Sequence, residues 1–215
     1  MPVLKSLCLV ALLTSGASAR QAEEVATGFW AQPALDARID VAAFDRRLMA
    51  AAIFHETNRV RQELGLRAFR PWPRLTEAAD LEAAVGRVYQ PPSHSNPFLS
   101  IGTPRERVRF VGISPGRVAE NIALLSVFAI DSSLGVGVEM RAGQRHFVHP
   151  QTHADLQPAT YRGFAEEVVK AWMNSPGHRE NLANPALLYL GCSVQPTVSL
   201  MGVDNLFCVQ VFFTP

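Results

Sequence analysis

Apolar side chains recur along this chain with two different periods, and the change from one to the other orders its elements. From Phe44 to Leu64 one stripe runs through Met49, Ile53, Thr57, Val60 and Leu64, the spacing of an amphipathic helix, with Gly65 as its stop. Pro71 and Pro73 force the residues before them in L-R-A-F-R-P-W-P into extended backbone, leaving Trp72 to plug the core between two helices. A second helix is predicted from about Arg74 to Val88, with Leu75, Ala78, Leu81 or Glu82, and Val85 on its buried side. Pro91-Pro92 ends it, and a polar loop S-H-S-N-P-F carries His94. The sharpest pattern is F-A-E-E-V-V-K-A-W-M-N-S-P-G-H-R-E-N-L, residues 164–182, where Phe164, Val168 and Trp172 (or Ala171) share one helical face. Asn174 closes that helix, and Ser175 reads as the N-cap of a short second one with Pro176 at its first position. Gly177 would let the backbone pass close to a neighbour just before His178.

Elsewhere the period falls to two. Leu187 to Val194 and Leu206 to Phe213 read as a strand pair. Residues 126–160 are less regular, with short strands or a hairpin suggested by Val127–Ile130 and by Val138–Phe147 around Ala142-Gly143. His146, His149 and His153 make that tract dense in histidine, and a polar loop is a simpler reading than a metal site. Residues 20–43 carry no long apolar repeat and read as a loosely held lead-in.

The first nineteen residues stand apart. Lys5, the apolar run Leu7–Leu13 and Ala17-Ser18-Ala19 form a signal peptide cleaved after Ala19, so the mature chain is expected in the periplasm or secreted. No stretch is long enough for stable membrane insertion. Losing Lys5 turns 20 basic against 19 acidic residues into 19 against 19, which disfavours nucleic acid or an anionic membrane as a partner held by bulk charge. Hydrophobic residues at 48% against 18% charged describe a globule with a full core, one domain at this length. Cleavage also removes Cys8, and the remaining Cys192 and Cys208 are most simply a disulfide in an oxidising compartment, worth about 3 kcal/mol across that loop.

Two motifs fail on chemistry. His55-Glu56 opens a zinc-protease H-E-x-x-H, but the fifth residue is Arg59. Residues 112–116 read G-I-S-P-G, and Pro115 lacks the N–H that an oxyanion hole needs after a nucleophilic serine. In A-E-N-I-A, residues 119–123, Glu120 reads equally as the cap of an element and as a functional acid.

Taken in order, the helix ending E-T-N-R-V-R-Q-E-L-G-L before P-W-P-R-L, the loop His94, A-E-N-I-A, the run V-V-K-A-W-M-N-S-P-G-H-R-E-N-L and the final L-G-C-S-V … F-C-V-Q-V-F pair resemble the bacterial branch of the CAP (SCP-like) superfamily. The likeness spans roughly residues 44–215, with an insertion at about 126–160. It implies an α+β fold, a three-layer α-β-α sandwich around a mostly antiparallel sheet. It also implies a cleft lined by His94, Glu120 and His178, with Ser175 where eukaryotic members have a second acid.

Three functions follow as expectations. The first is a binding module whose cleft engages a lipid, small molecule or peptide, with a divalent cation such as zinc on His94 and His178 as an optional addition. It ranks ahead of catalysis because no nucleophile–base–orienter set is intact. The alternative is a metal-dependent, peptidase-like hydrolase with His94 and His178 on the cation and Glu120 as base. The third is an envelope role with the 126–160 insertion as a docking surface.

Overall fold

The computed structural model describes residues 28–89, 91–114 and 116–215. The expected leader 1–19 and Pro115 lie outside them. Helix α1 is Arg46–Glu63, started by Asp45, whose carboxylate accepts the N–H groups of Arg47 and Leu48. It ends where Gly65 takes a φ of 70°, letting Leu66 N–H return to the Arg61 carbonyl. Met49, Ile53 and Thr57 are buried as the stripe predicts, but the face then continues through Arg61, and Leu64 is 48% exposed. Arg61 is tolerated inside because its guanidinium donates to the carbonyls of Arg67, Leu182 and Asn184 and lies over the Phe69 ring.

Strand β1 (Arg70–Pro71) leads into helix α2 (Pro73–Gly86), and helix α3 (Pro104–Phe110) follows the His94 loop. Strand β2 is Arg117–Ser126, β3 is Gly137–Arg141 and β4 is Gln144–Val148. Helices α4 (Tyr161–Asn174) and α5 (Pro176–Leu182) precede strands β5 (Tyr189–Val198) and β6 (Asp204–Thr214). The main sheet has the order β1-β5-β6-β2, antiparallel except for the short β1·β5 pair.

Period-two alternation in β6 builds both cores. Leu206, Cys208 and Phe212 face α1 and α4, where Ile53, Phe164, Val168 and Trp172 meet them. Phe207, Val209, Val211 and Phe213 face α2 and α3, against Leu75, Ala79, Ala83 and Val108. The result is the three-layer α-β-α sandwich. Helix α2 lies directly on β5: a Cβ at Gly191 would sit 2.2 Å from the Leu75 carbonyl carbon.

Several expectations change. The part of the lead-in that is described is not loosely held: Leu35 and Ile39 are in the first core, Ile39 N–H donates to the Ala159 carbonyl, and Asp36 pairs with Arg162. Trp72 sits at the start of α2 rather than between two helices, its ring edge-on to Tyr189 and Phe213. Helix α3 has no apolar period to betray it and instead carries a capping box, Thr103 with Glu106. In the insertion, β3 and β4 form the expected hairpin around Ala142-Gly143, both at positive φ, but Val127–Ile130 is no strand of its own. No described helix is long and apolar enough to cross a membrane.

The disulfide expectation is corrected: Cys192 and Cys208 are free, buried thiols. Cys192 lies opposite Gln210 and Cys208 opposite Val194, so the two are diagonal neighbours on one face. Diagonal positions are about 7–8 Å apart, beyond the roughly 4.4–6.8 Å usual between disulfide Cα atoms. Burial pushes the Cys192 thiol up to about 12 and raises that of Cys208 as well, so both behave as inert apolar groups.

Candidate functional site

Three elements deliver the three residues singled out in the sequence to one place. Glu120 is in β2 rather than at a cap, buried and facing the sheet's second side. His94 comes from the loop after α2, and its Nδ1 lies 2.9 Å from Glu120 Oε1. His178 is in the first turn of α5, and its ring stands edge-on to His94 with centroids 6.3 Å apart. Helix α5 is held there by amides: Asn181 Nδ2 donates to the Glu120 carbonyl and to Asn121 Oδ1, and Asn121 Nδ2 reaches the His178 carbonyl. Asn121 Nδ2 also bonds Gln210 Oε1, and Gln210 Nε2 donates to Thr57 Oγ1. A polar thread thus ties α5, β2, β6 and α1 through the first core.

Beneath the histidines lies a group of charges that no motif announced. Arg107 of α3 is completely buried, with Nη2 2.6 Å from Glu120 Oε2 and Nη1 2.7 Å from Glu82 Oε2. Asn96 Nδ2 donates to the same Glu82 oxygen. The Arg107 guanidinium also donates to the carbonyls of Ile101 and His94, which fixes the His94 loop, while its Nε has no partner. Two carboxylates thus face one guanidinium, and His94 is the further titratable group beside them. The signal for Glu82 was a carboxylate at an apolar position of the α2 stripe, where burial demands a cation. For Arg107 there was no comparable signal, because every neighbour in R-E-R-V-R-F is as polar as it is.

The two imidazoles are driven apart electrostatically. The hydrogen bond to Glu120 raises the His94 pKa above its ordinary value, outweighing burial. Burial, and then the nearby charge of His94, lowers that of His178. Burial raises the Glu82 carboxyl against the pull of Arg107. The site therefore takes a proton more readily at His94 than at His178.

Ser175 precedes α5 at the N-cap position, but its side chain makes no capping bond. A Cβ at Gly177 would meet nothing within 4 Å, so no close approach explains that glycine. The insertion histidines do not converge: His153 bonds Glu139, His149 accepts from the amides of Gln151 and Thr152, and His146 lies near Asp155. Among the described residues no three His, Cys, Asp or Glu side chains are grouped to hold a metal ion. His94 and His178 would bring two imidazoles, while both oxygens of Glu120 are already engaged. That donor set does not make a zinc centre.

The sequence model of the cysteine-rich secretory protein (CAP) family matches residues 127–212, a span that includes Ser175 and His178 but neither His94 nor Glu120. An uncharacterised protein of Bacillus subtilis (strain 168), YkwD, is 26% identical over 151 residues, 70% of this chain and 42% of that one. The chain thus spans less than half the length of this curated relative. An outer surface protein from Borrelia burgdorferi superposes with a TM-score of 0.50 at 19% identity, over 83% of this chain and 98% of that one. An extracellular protein containing an SCP domain from Bacillus anthracis str. Ames gives 0.48 at 20% identity, over 79% and 41%.

Proposed function

We propose that this chain, which matches the CAP family model over residues 127–212, is an exported binding protein whose His94–Glu120–His178 cleft receives the anionic group of a small molecule or peptide. One observation carries the reading: His94 is held by a carboxylate that a buried guanidinium already binds. That hydrogen bond favours the charged form of the His94 ring, whose side chain is 52% exposed with Nε2 left free to donate. His178, whose pKa burial lowers, supplies in its neutral form a second donor or acceptor according to its tautomer. A carboxylate or phosphate is the ligand group that such a pair complements. The leader at residues 1–19 supports export.

Hydrolysis is less well supported. Glu120, the base that the hydrolase reading requires, has one oxygen on His94 and the other on Arg107, so it has little freedom to activate water.

Titration calorimetry of the mature chain with short peptides and fatty acids, each as free acid and as amide or methyl ester, tests the proposal. Saturable binding of free acids is expected, weakened at least tenfold by His94→Ala and by Glu120→Gln. Equal affinity for the neutral forms, or no saturable binding across the panel, contradicts it.

A further inference from the structure

A hollow of about 600 Å³ lies at the far end of β2 and shares no lining residue with the histidine cleft. Its walls come from the end of β2, from residues 128–136 of the insertion and from the start of α4, with Leu124, Leu125, Phe128, Leu134, Phe164 and Val203 as apolar surface. Roughly 300–1,000 Å³ is the usual size of a ligand site.

The hollow also exposes a piece of strand edge. β2 is the last strand of the sheet, and its odd-numbered residues bond to β6, the series ending with Val127 N–H donating to the Asp204 carbonyl. Even-numbered residues therefore direct their N–H and C=O groups away from the sheet. After Val118, two carbonyls of this outward series are capped, Glu120 by Asn181 Nδ2 and Ile122 by Trp172 Nε1. The next two outward residues, Leu124 and Ser126, line the hollow, and no described residue bonds to their outward groups.

Beyond them the insertion folds back, with Ala159 N–H on the Val127 carbonyl and Ala129 N–H on that of Gln157. Glu167 Oε1 pins it by accepting the Ser132 N–H. At this rim Lys170 pairs with both Asp131 and Glu167, and Arg38 also lines the hollow, so the charges there are balanced.

We infer that this hollow binds a short extended peptide, which pairs its main chain with Leu124 and Ser126 and seats an apolar side chain among Phe128, Leu134 and Phe164. An acyl chain would fill the same volume but leave the strand's N–H and C=O groups without partners in an apolar setting, a cost that a peptide backbone removes. Strand addition at a free edge, with a pocket for alternate side chains, is an established way of holding peptides.

The test uses the mature chain with a library of capped hexapeptides that alternate valine or leucine with threonine and carry one terminal lysine. Palmitate is run alongside, together with versions of the best peptide N-methylated at alternate amides. Binding is expected to shift and protect from exchange the amides of Leu124 and Ser126, to weaken at least tenfold in one N-methylated register, and to weaken similarly with Leu134→Asp. Ser126→Pro, which removes an outward N–H that bonds nothing, is expected to cut binding while the folded spectrum persists. Because the peptides are capped, failure at the histidine cleft would leave this result intact. The inference is overturned if no library member binds, if peptides perturb only His94 and His178, if N-methylation weakens binding in neither register, or if palmitate binds more tightly than any peptide.

Discussion

Arg107 is enclosed by Glu82, Glu120 and two backbone carbonyls, and removing it would strand two carboxylates in the interior. Arg107→Met is expected to cost about 3–5 kcal/mol in denaturant unfolding, the usual penalty for breaking a buried ion pair on one side. Replacing Glu82 by Gln in the same molecule should recover part of it, since one of the stranded charges is then gone; no recovery would mean that the loss is one of packing. The histidines link the site to pH with opposite signs. The raised His94 pKa gives stabilisation that is present below the ordinary histidine value and lost as pH rises through the folded value. The lowered His178 pKa works the other way, costing stability as pH falls below the ordinary value, because folding disfavours its charge. His94→Asn should therefore leave a molecule whose stability climbs with pH from 5 to 7 more steeply than the wild type's, measured by denaturant midpoints. A slope that does not change places His94 outside the coupling.

At the scale of elements, glycines separate close packing from open space. Gly191 of β5 lies against the backbone of α2, so Gly191→Ala must push helix from sheet, and a loss of more than about 2 kcal/mol is expected, as for other overpacked interiors. Gly177→Ala, with nothing within 4 Å, should be neutral or stabilise by up to about 1 kcal/mol through helix propensity. If the two rank the other way, the α2–β5 packing described here is wrong. The same scale shows what the sequence made legible. Helices α1, α2 and α4 and strands β5 and β6 carry strong periods because each buries a continuous face, and their residues read out directly. Helix α3 buries Arg107 and Val108 among exposed charges, so its periodicity is erased, and only its capping box marks it. Arg61 broke the α1 stripe for a related reason: its burial is compensated by carbonyls from segments distant in sequence, and local pattern contains none of them.

Across the whole molecule, the site assembles because α5 is tethered to the sheet by the Asn181–Asn121–Gln210–Thr57 thread while α3 fixes the His94 loop from the opposite layer. The meeting of His94, Glu120 and His178 was legible through the order of motifs, whereas the buried Glu82–Arg107 pair beneath them was not, since an ion pair between two helices leaves no mark of spacing. The diagonal cysteines make a similar point: counting them suggested a bridge, but strand register decides whether two thiols face each other. The central claim is that the fold raises the His94 pKa and lowers that of His178 in one cleft. It is tested most directly by following both imidazoles through a pH titration by NMR, in the wild type and in Glu120→Gln. His94 should titrate above the ordinary histidine value and His178 below it, with His94 falling toward the ordinary value in the variant. Two histidines titrating together near that value, or a His94 unmoved by the loss of the Glu120 charge, would contradict the account.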